Sequence, residues 1–321
     1  MKAIAIDDDR LVWRDHPTPT PGPGEVRVRV RAAGVNRADL VQRAGRYPPP
    51  PGASPILGLE VAGVVSALGA EVTSLPVGQP VCALLTGGGY AEEVVVPARC
   101  CLAIPSGVAL VDAAALPEVW ATAWLNLIDE GDMKAGDRVV LHAGASGVGT
   151  AALQLCSLRG ARSFVTVGSP EKLERCLALG AEAGWNRHDG PWADAVRAWA
   201  DGADIILDPV GGDYLTQAQR VLATGGRWIS IGLMGGRRAQ LDLGRLLMKR
   251  QRLIGSTLRA RPVADKARVL RALEEHVWPA IEAGSVAPVI SARVPMGEAE
   301  EAHELLRSNQ TVGKVLLTLP R

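Results

Sequence analysis

The chain of 321 residues has no CxxC pair among its five cysteines (Cys82, Cys100, Cys101, Cys156 and Cys176), no uninterrupted apolar run of membrane-spanning length, and no excess of charge of either sign. An odd number of cysteines without metal-type spacing speaks against a disulfide framework or a zinc ribbon and leaves reduced, mostly buried thiols. Without ~18–20 consecutive apolar residues there is no candidate for a spanning helix. The N-terminus, MKAIAIDDDR, sets three acids where a secretory leader needs an apolar core, so the expected location is the cytoplasm. Lys and Arg number 35 against 34 Asp and Glu. A nucleic-acid partner would call for a basic face, so none is expected. The five histidines (16, 142, 188, 276 and 303) also lack metal spacing.

The residues that are present divide the chain. Its length fits about two domains of ~100–200 residues. The first part, to residue 115, is β-rich. EVRVRVRAAG alternates with period two, and VAGVVSALG, QPVCALL and YAEEVVVP are further short strands separated by Pro and Gly. The prolines at 48–51 predict a stiff extended loop. From Asp112 the pattern changes. DAAALPEVWATAWLNLI predicts a helix, and strands and helices then alternate: DRVVLHAG, GVGTAALQLCSLRG, RSFVTVG, SPEKLERCLALGA, ADIILDPV, YLTQAQRVLA, GRWISIGLMGG and a last strand, RLIGSTL. Buried apolar strands separated by helices predict a parallel sheet covered on both faces. Beyond residue 258 come a helical ADKARVLRALEEHVWPAIEAG, then AEEAHELLRSN, then a closing strand, KVLLTL, expected to return to the first domain.

HAGASGVGTAALQLC joins a strand to a helix through glycines 144, 147 and 149. A helix N-terminus offers unpaired N–H groups and a positive partial charge, so small residues there suit a phosphate. The competing reading is a tight turn that only packs helix on strand. The next strand ends in Gly168 and Ser169, followed by Lys172, where an NAD site would place a carboxylate on the ribose hydroxyls. A hydroxyl and a lysine there suit a 2′-phosphate, with Arg187 as a second cation, so NADPH is the expected cofactor. Glu171 in the first helical turn offsets Lys172 in the alternative, solvated reading. His142 and the tryptophans 185, 192 and 199 are expected to be structural.

GVNRADLVQRAGRYPPPPG, ILGLEVAG, AALPEVWATAW, HAGASGVGTAALQL, ISIGLMGG and NQTVGKVLL occur in that order. The chain resembles, end to end, the zinc-independent quinone oxidoreductases of the medium-chain dehydrogenase/reductase superfamily, above all the p53-inducible subfamily. The resemblance implies an α/β protein in which a Rossmann-type parallel sheet domain (116–258) is inserted into a GroES-like β-barrel domain (1–115 and 259–321). It implies NADPH in the cleft between the two domains. It also implies a homodimer joined through the edge strand RLIGSTL. Where zinc alcohol dehydrogenases carry Cys, His-Glu and a further Cys, this chain has Asn36, Leu59-Glu60 and Glu118. Asparagine and leucine do not make a tetrahedral zinc set, so no metal is expected. Without that Lewis acid, a quinone or conjugated carbonyl is the suitable acceptor, because its own conjugation spreads the incoming charge.

The resemblance also implies roles for individual residues. Tyr47 would lie near the nicotinamide and donate a hydrogen bond or proton to the reduced oxygen, against a reading as a packed loop aromatic. Asn36 would make a polar contact to nicotinamide ribose or substrate. Asp39 is either a cleft residue or a structural acceptor. Thr122 would touch the nicotinamide, and Gly144, Ser146, Gly147, Val148 and Gly149 would cradle the pyrophosphate. Ser169, Lys172 and Arg187 would hold the adenosine phosphate end. Gly232, Leu233 and Met234 would approach the carboxamide, and Asn309 would reach the cofactor. For Arg259, contact with substrate or cofactor stands beside a surface salt bridge. The expected reaction is NADPH-dependent quinone reduction by hydride, or by single electrons. An enone or enoyl (2-alkenal) reductase is the alternative, and a non-catalytic NADPH-binding protein is a reading of a different class.

Overall fold

The computed structural model describes residues 1–320. Along the chain, β1 (Lys2–Asp7) and β2 (Arg10–Asp15) form a hairpin, followed by β3 (Glu25–Val35), α1 (Arg37–Arg43), β4 (Glu60–Leu68), β5 (Pro80–Leu84), β6 (Glu93–Pro97) and β7 (Cys101–Ala103). Helix α2 (Pro117–Trp124) leads into β8 (Arg138–His142), α3 (Gly147–Leu158), β9 (Arg162–Val167), α4 (Pro170–Ala178), β10 (Ala183–Asn186), α5 (Ala193–Ala200), β11 (Ala203–Asp208), α6 (Tyr214–Val221), β12 (Leu222–Ser230), α7 (Leu243–Met248) and β13 (Arg252–Gly255). The chain continues through α8 (Val263–His276), α9 (Trp278–Glu282), β14 (Ile290–Pro295), α10 (Ala299–Arg307) and β15 (Lys314–Thr318).

Two compact units result. Unit 1 joins Met1–Ala121 to the segment from Leu258 onward, and unit 2 is Thr122–Thr257. The division falls a few residues later than the 115/116 boundary read from composition. The reason is local: the start of α2 is tied to β4, whose Glu60 accepts the backbone N–H of Glu118 at 2.8 Å.

In unit 1 the strands run β14-β15-β3-β4-β5-β7, with β6 also pairing with β3. The long β3 alternates as its sequence requires, with Val26, Val28 and Val30 fully inside. Side chains of that size contribute ~1.5–3 kcal/mol each when buried. The last strand, β15, lies antiparallel to β3, so the end of the chain closes the sheet that its beginning opened. The single helix expected over ADKARVLRALEEHVWPAIEAG is two. Pro279 has no N–H to continue the ladder, and the break falls at Val277.

Unit 2 is a six-stranded, all-parallel sheet in the order β10-β9-β8-β11-β12-β13. The strand order reverses direction between β8 and β11, the place where ligands bind outside the carboxyl ends in such sheets. The core beside it packs Val140, Phe164, Trp192, Val196 and Ile206, with Trp185 and Trp199 leaning on it, so the tryptophans are packing residues. Strand β13 is an edge. The neighbouring α7 leaves Leu243, Leu247 and Met248 at 67%, 75% and 77% exposure.

Candidate functional site

In unit 2 the glycine loop leaves β8 at its carboxyl end. Ala143 sits at φ +52° and turns the chain. A Cβ at Gly144 would lie 2.6 Å from Val165 of β9, and one at Gly149 would lie 2.5 Å from the carbonyls of Ala143 and Gly144. Both glycines are therefore needed to seat the loop on the neighbouring strand and α3 on the loop. Ser146 caps α3, its hydroxyl accepting the N–H of Gly149 at 3.1 Å. The first-turn amides of a helix have no partner four residues back, so Gly147 and Val148 present N–H groups at a bare, small-residue surface. This cradle fits a pyrophosphate.

At the end of β9, Ser169 caps α4 through the N–H of Lys172 at 3.3 Å. Its hydroxyl also bonds the Glu171 carboxylate and holds that acid below its ordinary range. Ser169 is thus engaged by its own helix. The guanidinium of Arg187 lies across the tip: a Cβ at Gly168 would stand 3.4 Å from its Nε. Burial raises the Tyr214 phenol, and Arg187 opposes the rise, which places that cation near Tyr214 as well. The fold therefore brings Ser169 and Arg187 to the end of β9, beside the glycine loop on the adjacent strand.

The segment after β12 is organised by Asp208, a buried residue that the sequence reading passed over. Its Oδ1 accepts the N–H groups of Val210 and Gly211 at 2.6 and 3.0 Å, and its Oδ2 accepts Trp228 Nε1 at 2.9 Å. The backbone of Met234 then docks on the Pro209 carbonyl at 3.2 Å. Leu233 and Met234 are left 55% and 50% exposed. Thr122 is half-buried on α2, and its carbonyl accepts Asn126 Nδ2 at 2.8 Å. His142 is structural. Its Nδ1 meets the Thr166 hydroxyl at 3.0 Å, its ring packs edge-on against Trp192 and Tyr214, and burial pushes it down to about 4.

Unit 1 holds a separate polar constellation. Lys314 of β15 is buried and satisfied three ways: by Glu60 Oε1 at 2.6 Å, Asn36 Oδ1 at 2.7 Å and the Val35 carbonyl at 2.8 Å. Glu60 is fully buried, and its Oε1 also accepts Asn36 Nδ2 at 2.9 Å. Gly34 makes the room, since a Cβ there would lie 2.3 Å from Glu60 Oε1. Both ends of the Asn36 amide are thus engaged inside the protein. Asp39 is a structural acceptor, taking the N–H groups of Asn36 and Gly58 at 2.8 and 3.1 Å and the Tyr90 hydroxyl at 3.1 Å. Burial pushes it up to about 6 in spite of those donors.

Close by in unit 1, the Tyr47 ring covers Arg259, whose Cζ lies 5.2 Å from the ring centroid. Arg259 is buried, which rules out the surface salt bridge considered from the sequence. Burial raises the Tyr47 phenol, Glu118 adds to the rise, and Arg259 opposes it. Glu118 has its Oε2 sealed from solvent without a partner. Burial and then the charge of Glu60 push it up to about 8. Lys266 is buried as well. It stands on the inward face of α8 with Leu270 and Leu273, a lysine at a core position of a helical repeat, and that signal was legible in the sequence. Asn309 sits apart from this cluster at φ +54°, its Oδ1 held by Arg37 Nη2 at 2.7 Å.

Zinc does not suit the residues at the positions where the resemblance would place a metal. Asn36 offers an amide already bound at both ends, Leu59 offers nothing, and Glu60 faces the Lys314 ammonium. Among the described residues no group of three or more His, Cys, Asp or Glu side chains is placed to hold a metal.

Comparison with known proteins agrees with this architecture. Residues 22–106 match the alcohol dehydrogenase GroES-like domain, and residues 147–275 match the zinc-binding dehydrogenase family. The quinone oxidoreductase of Thermus thermophilus, solved also as its complex with NADPH, is 32% identical over 99% of this chain and 100% of its own, with a TM-score of 0.84. A mycobacterial protein solved with NADPH is 28% identical over 99% and 100%, with a TM-score of 0.89. The mycocerosic acid synthase-like polyketide synthase of Mycobacterium tuberculosis is 33% identical over 296 residues, 90% of this chain. This chain spans only 14% of the length of that synthase. The chain belongs to the medium-chain dehydrogenase/reductase superfamily of oxidoreductases. Its two units are the GroES-like domain and the Rossmann-type domain of that fold.

Two outcomes follow from the unit 1 geometry. Lys314→Met leaves Glu60 buried and unpaired and should cost about 3–5 kcal/mol. The double variant Lys314→Met/Glu60→Gln should regain part of the loss in thermal melts. Equal destabilisation by both would mean that the charge of Glu60 is irrelevant. The second concerns Glu118, which keeps its proton in the fold up to about pH 8 against an ordinary value of 4.5. Its contribution to stability is whole below about pH 4.5, falls as the unfolded chain ionises, and is gone once pH passes about 8. Glu118→Gln, which mimics the protonated form, should therefore melt progressively higher than the wild type as pH rises from 5 to 9. A pH-independent difference would show that Glu118 is ionised throughout.

Proposed function

We propose that this protein is an NADPH-dependent reductase of quinones, of the p53-inducible quinone oxidoreductase type, working without a metal in the cytoplasm. The observation that carries the reading is the lysine-filled corner of unit 1. With Glu60 paired to Lys314, that corner offers no ligand set for a Lewis acid that would stabilise an alkoxide, which favours acceptors whose own conjugation spreads the charge. Support comes also from the full-length likeness to a quinone oxidoreductase.

In this reading Gly144, Ser146, Gly147, Val148 and Gly149 bind the pyrophosphate. Arg187, helped by Lys172 and Ser169, binds the 2′-phosphate, with Glu171 opposing it. Gly232, Leu233 and Met234 meet the carboxamide through backbone groups, and Thr122 and Asn309 add contacts. When bound, the reduced nicotinamide supplies hydride. Tyr47 keeps its phenolic proton at neutral pH, since burial moves it further above the ordinary value near 10, and so it can donate a hydrogen bond to the substrate oxygen. Asn36 acts by positioning Lys314 and Glu60. Single-electron transfer is the variant form of the same reaction. The likeness to a polyketide synthase favours one second reading, reduction of an enone or enoyl group.

The assay is NADPH oxidation followed in EDTA, with 1,2-naphthoquinone and 2-hexenal as parallel acceptors and NADH as control donor. Quinone turnover that survives EDTA and prefers NADPH is expected, and Arg187→Glu should raise the KM for NADPH by about 10–100-fold while leaving NADH nearly unchanged. Turnover with the enal alone would transfer the assignment to the second reading. NADPH binding with no turnover would make the protein a binder.

The protein is further proposed to be a homodimer, formed through the unpaired edge of β13 and the exposed Leu243, Leu247 and Met248 of α7. Sedimentation should give a dimer, and Leu247→Glu/Met248→Glu a monomer. A wild-type monomer at micromolar concentration would overturn this.

A further inference from the structure

Asp208 ends β11 and is completely buried, and among the described residues no Lys, Arg or His forms an ion pair with it. Its partners are neutral donors. Oδ1 takes the N–H groups of Val210 and Gly211, and Oδ2 takes the indole N–H of Trp228 on β12. His142 and Tyr214 sense its charge, but neither bonds to it. Buried charges ordinarily face an opposite charge or a full set of donors. The donors here belong to one turn and one strand, so the carboxylate ties residues 209–212 to β12.

That turn carries a second one on its back. The N–H of Ile231 donates to the Asp208 carbonyl at 2.9 Å, that of Met234 to the Pro209 carbonyl at 3.2 Å, and that of Gly235 to the Val210 carbonyl at 2.7 Å. Gly211 and Gly236 add a β-bridge. The two turns meet backbone on backbone. A Cβ at Gly232 would lie 2.8 Å from the Pro209 carbonyl, and one at Gly211, where φ is +70°, would lie 2.9 Å from the Gly236 carbonyl. Between these ties, the N–H groups of Gly232 and Leu233 make no hydrogen bond among the described residues. Gly232 is half-buried and Leu233 is exposed. Two successive donors are thus held at both ends and left unused. A primary carboxamide offers an oxygen that accepts such donors.

We propose that Asp208 is a positioning residue for the nicotinamide end of the cofactor: it fixes the turn 209–212, and through that turn it sets where the backbone of residues 232–234 meets the carboxamide. This rests on the assignment of Gly232, Leu233 and Met234 made above, and it names the residue that keeps them in place. The sheet itself does not need Asp208. The β11–β12 ladder and the buried Ile205, Ile206, Leu207 and Ile229 hold the strands together. The carboxylate acts on the turn beyond the strand end, where a small displacement of a cofactor contact is costly because hydride transfer needs close alignment. Asparagine is the informative replacement. It has nearly the same shape and its oxygen still accepts from the turn, but its NH2 group then faces the Trp228 indole, donor against donor.

The test separates the nicotinamide from the rest of the cofactor. Binding of NADPH and of 2′-phospho-ADP-ribose, which lacks the nicotinamide, would be measured calorimetrically for wild type, Asp208→Asn and Asp208→Asn/Trp228→Phe, with melting curves to confirm folding. Asp208→Asn should weaken NADPH by about 10-fold and leave 2′-phospho-ADP-ribose within about twofold. In the cofactor-free protein, amide exchange over residues 231–236 should quicken by about 10-fold while β8 and β9 stay unchanged. Removing the indole donor in the double variant should restore part of both losses. Should Asp208→Asn melt too low for binding, Gly211→Ala, which pushes the two turns apart, and the double variant carry the test: the first should show the selective loss and the second should not. Selective loss in a protein that reduces no quinone would leave Asp208 in this role and remove the reductase reading. Equal weakening of both ligands, or unchanged exchange over 231–236 in folded variants, would overturn the inference and leave Asp208 a part of the general fold of unit 2.

Discussion

Unit 1 depends on one buried ion pair. Lys314 brings a charge from the last strand into the angle between β3 and β4, and Glu60 meets it where Gly34 has no side chain to intrude. The pair is stable only because every donor and acceptor is filled. The ammonium has three oxygens, and the carboxylate has the ammonium, an amide and a backbone N–H from the start of α2. Remove any one and the others become buried, unsatisfied groups. β3, β4, α2 and β15 are held to one another by that requirement, in addition to the apolar packing around them.

The same pair fixes the character of that corner of unit 1. A carboxylate committed to a lysine is not a metal ligand, and an ammonium with three acceptors has no donor left for a substrate. The corner is closed and structural, with its side chains committed to one another. Elsewhere in unit 1, Arg259 Nη2 and Glu118 Oε2 are buried without a partner. Unit 2 follows a different rule. Its glycines are dictated by close approach of loop to strand, and the small-residue helix N-terminus that suits a phosphate is a by-product of that fit.

Most of the fold was legible in the residues because its units are local. A strand, a capped helix and the next strand lie within about thirty residues in β8–α3–β9, and Gly136, Gly144, the Ser146 cap and Gly160 mark the boundaries. What was illegible depends on partners distant in sequence. Lys314 in KVLLTL is an ordinary strand-end lysine until Glu60 stands opposite. Arg259 can be named as a candidate, but only the fold reveals that it is buried without a counter-charge. Asn36 and Asp39 were both singled out, and the structure engages Asn36 with Lys314 and Glu60 and gives Asp39 the acceptor role that was one of its two readings. Ser169 and Glu171 are a case of local competition. Two residues placed for a ligand can also satisfy each other, and periodicity does not reveal which bond forms.

The position of Lys314 in the order of synthesis has a consequence for how the chain is made. Residues 122–257 emerge from the ribosome as one uninterrupted stretch and hold every strand of their sheet, so unit 2 can fold as soon as it is out. Glu60 emerges long before Lys314, its cationic partner. Until the closing strand is released, the first half of unit 1 carries an acid that cannot be dehydrated without penalty, and that penalty keeps the early strands from collapsing into a finished core. Unit 1 is therefore a domain whose first half is translated early and whose folding is completed last.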